Sequence, residues 1–290
     1  MKKESTKIGF IGTGVMGNPM ASHILKEGYE LYVYNRTSAK TQSLVASGAH
    51  ACDSPGSVAE KCDVIFAIVG FPKDVETVFL GSNGIVEKAK SGSIIVDMTT
   101  STPDLAKKIA LVAIEKGLHS LDAPVSGGDV GAKSGRLSIM VGGERDIFDR
   151  ILPLFELMGS NIVYQGKAGS GQHTKMANQI GIASSMLAMC ESLTYAKAAG
   201  LNPETVLKSI SSGAAGSWSL TNLAPRILRD DYEPGFFVKH FIKDMQIAID
   251  SGEAMGILMP GLKIAKTKFD QIAEQGLDDK GTQAVIKAYE

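Results

Sequence analysis

An alternation that runs through the first half of the chain and then stops narrows the fold more than any other feature. Short apolar, β-rich runs occur at Ile8–Ile11, Leu31–Tyr34, Val64–Val69, Ile94–Asp97, Ser120–Ala123 and Leu137–Val141. Helix-like segments lie between them, including Val15–Glu27, Thr37–Ala46, Pro72–Phe79 and Pro103–Lys116. The last has a clear start: Thr102 can cap it, and Pro103 fits the first helical position, where a missing N–H costs nothing. Such alternation predicts parallel βαβ units in an open, doubly wound α/β sheet. After Tyr164 the pattern changes. Residues 170–199 hold no proline and only two glycines, Gly171 and Gly181. They read as one helix about 45 Å long, with a weak polarity that predicts burial on more than one side. Helical segments follow near 203–211, 218–228, 240–255, 260–275 and 282–289, with no strand signal among them.

The first strand runs into Gly12-Thr13-Gly14-Val15-Met16-Gly17, a G-x-G-x-x-G turn between a strand and a helix. Gly12 allows the tight turn, Gly14 lets a pyrophosphate approach the backbone, and Gly17 lets the helix pack on the sheet. The helix start then offers N–H groups and a positive dipole end to phosphates. Its position at the start of a βαβ pattern favours a dinucleotide-binding loop over a bare glycine-rich turn. The expected organisation is therefore a Rossmann-type domain over 1–166 and an all-α domain over 167–290, joined through the long helix. The second strand ends Asn35-Arg36-Thr37. An acidic residue there would hold a ribose 2′-hydroxyl, whereas an arginine accommodates a 2′-phosphate. NADP is the expected preference, with NAD as the second cofactor. The competing reading makes Arg36 a solvated loop residue and the protein indifferent to the phosphate.

Two further segments carry chemistry. Ser126-Gly127-Gly128 follows a strand and suits the presentation of N–H groups and one hydroxyl to a carboxylate; read alone, it fits a plain turn equally well. Lys175, Asn178 and Gln179 stand at i, i+3 and i+4 of the long helix and share one face. One ammonium and two amides make a poor core patch and a good polar site, although most helical lysines are solvated. Burial beside an oxidised nicotinamide would favour a neutral amine, letting Lys175 take a hydroxyl proton in oxidation and return it in reduction. His173, the rival base, lies about 200° around the helix and reads as a first-turn capping or packing residue. His23, His50, His119 and His240 form no metal-like pair.

Composition excludes other classes. The 290 residues carry 30 basic and 31 acidic side chains. That balance gives no bulk basic field for nucleic acid or an anionic membrane. No apolar run reaches the roughly 18 residues of a membrane span, and no signal-peptide core follows the charged N-terminus. Three cysteines without metal-like spacing read as free thiols of a cytoplasmic protein. The apolar helical half predicts a homodimer or homotetramer.

Together these motifs resemble the β-hydroxyacid dehydrogenase family, which includes 3-hydroxyisobutyrate dehydrogenases and tartronate semialdehyde reductases. The resemblance spans essentially the whole chain. It rests on Gly12–Gly17 with Met20-Ala21, on Asp97-Met98-Thr99-Thr100, Asp122–Gly128 and Gly169–Gln179, and on Phe241-Ile242-Lys243-Asp244. It implies that Lys175 is the catalytic acid–base, with Ser126, Gly127 and Gly128 on the substrate carboxylate and Asn178 and Gln179 beside the substrate. It also implies that Val69, Thr100 and Lys243 line the cofactor site along with the glycine loop. Many relatives carry asparagine where Gln179 stands, so substrate geometry can differ here. The implied activity interconverts a small 3-hydroxy acid and its semialdehyde. The alternatives are reduction of a sulfonated, phosphorylated or glyoxylate-like aldehyde on the same fold and, from another class, a non-catalytic NADP-binding protein. An intact glycine loop and Lys175 disfavour the last.

Overall fold

The computed structural model describes residues 3–290, which fall into two compact units, one ending at Lys175 and one beginning at Met176. The first unit holds nine strands: β1 (Lys7–Ile11), β2 (Glu30–Tyr34), β3 (His50–Ala51), β4 (Val64–Ala67), β5 (Ile94–Asp97), β6 (His119–Asp122), β7 (Val125–Ser126), β8 (Leu137–Gly143) and β9 (Gly159–Gly166). Its helices are α1 (Gly17–Lys26), α2 (Gln42–Ala46), α3 (Pro55–Ala59), α4 (Pro72–Leu80), α5 (Ile85–Lys88), α6 (Pro103–Glu115), α7 (Gly128–Lys133) and α8 (Arg145–Phe155). The strands make one sheet in the order β3-β2-β1-β4-β5-β6-β8, with β7 and β9 also paired to β8. The order reverses between β1 and β4, the switch point at which doubly wound sheets open a crevice for ligands.

Period-2 alternation builds two core layers on this sheet. Ile8, Phe10, Val64, Phe66, Ile94 and Val96 point into one, closed by α1 and α8 residues such as Met20, Ile24, Ile151 and Phe155. Ile65, Ala67 and Ile95 point into the other with Val58, Val75 and Ile109. β4 and β5 are buried at every position, as strands covered on both faces must be.

The far side of the sheet adds antiparallel pairs to the parallel βαβ units. β6 and β7 lie on β8 in one antiparallel register, with Leu121 opposite Gly143, Asp122 opposite Gly142, Val125 opposite Ile139 and Ser126 opposite Ser138. Met140 N donates to Pro124 O at 3.0 Å between them, so β6 and β7 are one strand interrupted at Ala123–Pro124. Pro124 has no N–H for the ladder. The connection over 127–136 carries a helix of only six residues, too short for the crossover that a parallel return needs. The expected helix over Thr37–Ala46 is a 3-10 turn, Ser38–Thr41, followed by α2.

Helix α9 (Ser170–Ala198) begins in the first unit and continues into the second. The second unit adds α10 (Pro203–Ile210), α11 (Trp218–Asn222), α12 (Ala224–Ile227), α13 (Val238–Ala254) and α14 (Pro260–Ile272). Asn202 caps α10, accepting from Thr205 N at 3.0 Å, with Pro203 at the first turn. The helix expected over 218–228 is two short ones that meet at Leu223; Pro225, lacking an N–H, starts the second rather than continuing the first. The segment at 282–289 is 3-10 rather than α-helical. The core of this unit centres on Phe241 and Phe269, edge to face at 5.0 Å, with Met189, Cys190 and Met245. Among the described residues, no helix is long and apolar enough to cross a membrane.

Candidate active site

The turn after β1 is shaped by three glycines for different reasons. Gly12 has φ +91°, and a Cβ there would lie 2.0 Å from Ile68 O. A Cβ at Gly17 would lie 1.8 Å from Gly12 O. Internal packing thus accounts for both. Gly14 is different: nothing lies within 4 Å of where its Cβ would be. The open space beside this backbone fits a pyrophosphate. The N-cap position of α1, Met16, supplies no side-chain cap, so the helix start remains suited to an anion. Val15 beside it is exposed.

The end of β2 is tied to this turn. Asn35 Oδ1 accepts from Thr13 N at 3.0 Å, and Asn35 Nδ2 donates to Thr37 O at 3.0 Å. Thr13 Oγ1 donates to Lys40 O. Arg36 projects outward, its side chain 86% exposed, with Nη1 3.3 Å from Asp74 Oδ1. Asp74 was not a sequence candidate. Its other oxygen accepts from Phe71 N at 3.2 Å at the start of α4.

The ends of β4, β5 and β6 are linked by buried and half-buried hydrogen bonds. Val69 N donates to Thr99 Oγ1 at 3.0 Å, and Asp97 Oδ1 accepts from Thr99 N at 2.9 Å. Thr100, half-buried, sits between Thr99 and Ser101 in the same loop. Gln172, on the first turn of α9, grips that loop: Oε1 accepts from Ser101 N at 2.9 Å and Nε2 donates to Thr99 O at 2.7 Å. Asp122, at the end of β6, accepts from Gly169 N and Gln172 N, each at 2.8 Å. Burial pushes its carboxyl up to about 6, against the lowering effect of these N–H bonds.

Lys175 follows Gln172 by three residues. It is 6% exposed, and its Nζ donates to Val125 O at 2.8 Å. The next residues along that strand are Ser126, Gly127 and Gly128. Ser126 is half-buried, and among the described residues its hydroxyl takes no partner. Gly127 has φ +127°, a conformation that favours glycine, and the space beside Gly128 is open. The first unit thus brings a buried ammonium to the strand that leads into the Ser-Gly-Gly loop. His173 lies elsewhere: burial first, then the Lys107 ammonium, lowers its pKa, while Asp104 opposes.

In the second unit, Asn178 Nδ2 donates to Gln179 Oε1 at 2.7 Å, and Gln179 Nε2 donates to Asp244 Oδ2 at 2.6 Å. Asp244 Oδ1 lies 2.9 Å from Lys243 Nζ. Gln179 is 1% exposed and keeps one N–H and one lone pair for a further contact. Asp244 had no reading of its own in the sequence beyond its place in the Phe241–Asp244 motif.

Residues 7–166 match the family described as the NAD binding domain of 6-phosphogluconate dehydrogenase. Residues 169–289 match that described as "NAD-binding of NADP-dependent 3-hydroxyisobutyrate dehydrogenase". "Uncharacterized oxidoreductase YkwC" of Bacillus subtilis is 57% identical over 282 residues, covering 97% of this chain and 98% of the relative. "Probable 3-hydroxyisobutyrate dehydrogenase-like 1, mitochondrial" of Arabidopsis thaliana is 49% identical, covering 99% of this chain and 86% of the relative. The solved structure of Mycobacterium tuberculosis 3-hydroxyisobutyrate dehydrogenase with L-serine superposes with a TM-score of 0.90 at 26% identity, covering 98% of this chain and 99% of that one. Whole-length identity of this order and the two matched domains lead to one conclusion: the chain belongs to the 3-hydroxyisobutyrate dehydrogenase family of NAD(P)-dependent oxidoreductases.

Proposed function

We propose that the protein interconverts a small 3-hydroxy acid and its semialdehyde, with NADP preferred over NAD and Lys175 as the acid–base residue. The observation that carries this reading is the buried Lys175 ammonium, 2.8 Å from the carbonyl of Val125 and thus one residue from Ser126 along the strand. The name of the plant relative and the L-serine in the mycobacterial structure, itself a 3-hydroxy acid, support the substrate class.

When bound, the dinucleotide supplies or accepts the hydride. Gly12, Thr13, Gly14, Val15, Met16 and Gly17 hold its pyrophosphate, and Asn35, Arg36 and Thr37 hold the ribose with its 2′-phosphate. Val69, Thr100 and Lys243 line the rest of the cofactor site. Ser126, Gly127 and Gly128 receive the substrate carboxylate, and Asn178 and Gln179 orient the substrate through their amides. In oxidation, neutral Lys175 takes the hydroxyl proton as the C–H electron pair leaves. In reduction, the ammonium gives that proton to the developing alkoxide and stabilises its charge beforehand. Free Cys52, Cys62 and Cys190 suit a reducing compartment. Exposed Tyr195, Leu258 and Ile264 in the second unit suit a homo-oligomer.

Lys175→Ala tests the reading. A positioned acid is worth about 10²–10⁴-fold, so kcat should fall by at least that lower figure while a direct NADPH titration stays near wild type. A variant keeping more than about a tenth of wild-type kcat removes Lys175 from the role. Assaying small 3-hydroxy acids and semialdehydes with NADPH and NADH identifies the substrate, and efficient turnover of an uncharged alcohol of similar size would remove the carboxylate from the proposal.

A further inference from the structure

We infer that Asp122 is the positioning residue for Lys175: from the end of β6 its carboxylate caps the first turn of α9 and so fixes where the lysine stands. The inference rests on the reading of Lys175 as the acid–base. Helices are ordinarily capped by a residue next to their own first turn. Here Asp122 is 3% exposed and its two oxygens take Gly169 N and Gln172 N, 47 and 50 residues further along the chain. The start of α9 is thereby fastened to a strand end rather than to itself.

The glycines around the carboxylate make this approach possible. A Cβ at Gly171 would lie 2.4 Å from Met140 O and 2.5 Å from Asp122 O, and a Cβ at Gly142 would lie 2.5 Å from Asp122 Oδ1. A charged group is also a costly choice for a buried cap, since desolvation opposes its ionisation. A neutral serine or asparagine at this position offers one acceptor oxygen, so one of the two N–H groups would lose its partner. What the aspartate adds is a pair of acceptors at a strand end close to the lysine's own contact. Asp122 lies three residues before Val125, whose carbonyl receives Lys175 Nζ, and four before Ser126. One interrupted strand thus caps the helix at one point and receives its lysine at another. Gln172 supplies a third fastening, to the Thr99–Ser101 loop. Three such ties define the position of a side chain that is otherwise long and flexible. Displacing it by about 1 Å is enough to cost roughly 100-fold in rate.

The experiment compares Asp122→Asn, Lys175→Ala and the double variant. Rates are expressed per NADPH-binding site, so a partly folded preparation still reports. Asp122→Asn should lower kcat by about 100-fold while NADPH Kd and substrate KM stay within about threefold. On the Lys175→Ala background it should lower the residual single-turnover rate no further, because residues that act through one group are not additive. A purely stabilising carboxylate would leave kcat per site unchanged. Should Asp122→Asn yield no NADPH-binding protein, Asp122→Ser serves in its place, since it removes one of the two acceptors without adding bulk among the surrounding glycines. Wild-type kcat per site in the variant that folds, or a further multiplicative loss on the Lys175→Ala background, overturns the inference. If Lys175→Ala itself turns over normally, the acid–base reading has failed. If only Asp122→Asn is normal, the positioning inference alone has failed.

Discussion

Helices α1 and α9 both start against the carboxyl ends of strands of the same sheet, behind glycine-rich turns, yet their first turns are closed in opposite ways. At α9 the protein supplies its own anion: Asp122 sits on the N–H groups of Gly169 and Gln172, and the glycines around it are forced by contact with protein atoms. At α1 no side chain caps the start, and Gly14 faces open space. An anion at α1 must come from outside the chain, as a cofactor phosphate does. Two similar-looking G-x-G stretches therefore differ: one is closed by the chain's own carboxylate and the other is left open.

Alanine at the two glycines tests that contrast most severely. Gly171→Ala drives a methyl into Met140 O and Asp122 O and should destabilise the fold by about 3 kcal/mol, the upper end for overpacking. Gly14→Ala meets no protein atom and should leave the denaturation midpoint unchanged. It should instead weaken NADPH and NADH alike by at least tenfold, about 1.4 kcal/mol. Equilibrium unfolding and cofactor titration of both variants read the two effects separately. A stability loss at Gly14, or an undisturbed Gly171→Ala, would erase the distinction.

The capped helix should also carry a pH signature that the open one lacks. Asp122 is raised from 3.8 to about 6 by burial, so the folded protein binds this proton more tightly than the unfolded chain does. The associated stability is complete below the unfolded value and is lost as pH rises through about 6. Relative to Asp122→Asn, wild type should gain about 2 kcal/mol between pH 7 and pH 4.5. Urea denaturation of both proteins at the two pH values measures this. A difference that stays flat, or one that grows with rising pH, would show that the N–H bonds dominate and that the carboxylate is stabilised in place.

The same contrast explains what the sequence makes legible. The cap of α6 is readable because Thr102 accepts from Leu105 N, three residues on. The glycine turn after β1 is readable because its strand, turn and helix are contiguous. Lys175 stands out as a candidate from its motif and from the polar face that its spacing to Asn178 and Gln179 predicts. Asp122 and Gln172 satisfy groups 47 to 73 residues away, and no local pattern encodes such a partner. Asp122 appears in the sequence only as the first residue of the Asp122–Gly128 segment. The antiparallel return of β8 is hidden for a similar reason. Hydrophobic periodicity reports that a strand exists, while its direction depends on the length of the connection and on the break at Pro124.

The smallest expected effect lies at the open turn's outer edge. Arg36, the expected 2′-phosphate anchor, is shared with Asp74 at 3.3 Å, and the pair is largely solvent-exposed on the arginine side. Such pairs are worth at most about 1 kcal/mol, so the carboxylate can divert the guanidinium and repel the phosphate without abolishing binding. Asp74→Asn removes the charge and keeps an oxygen for Phe71 N. It should tighten NADPH by about two- to fivefold, within the limit set by an exposed pair, and leave NADH unchanged. The gain should shrink at high salt, where exposed charges are screened, and should vanish on an Arg36→Ala background, which itself should raise KM for NADPH alone. Equal tightening of NADH would mean that Asp74 acts on the α4 start rather than on the phosphate. Weaker NADPH binding would mean that Asp74 orients Arg36 for the phosphate instead of competing with it.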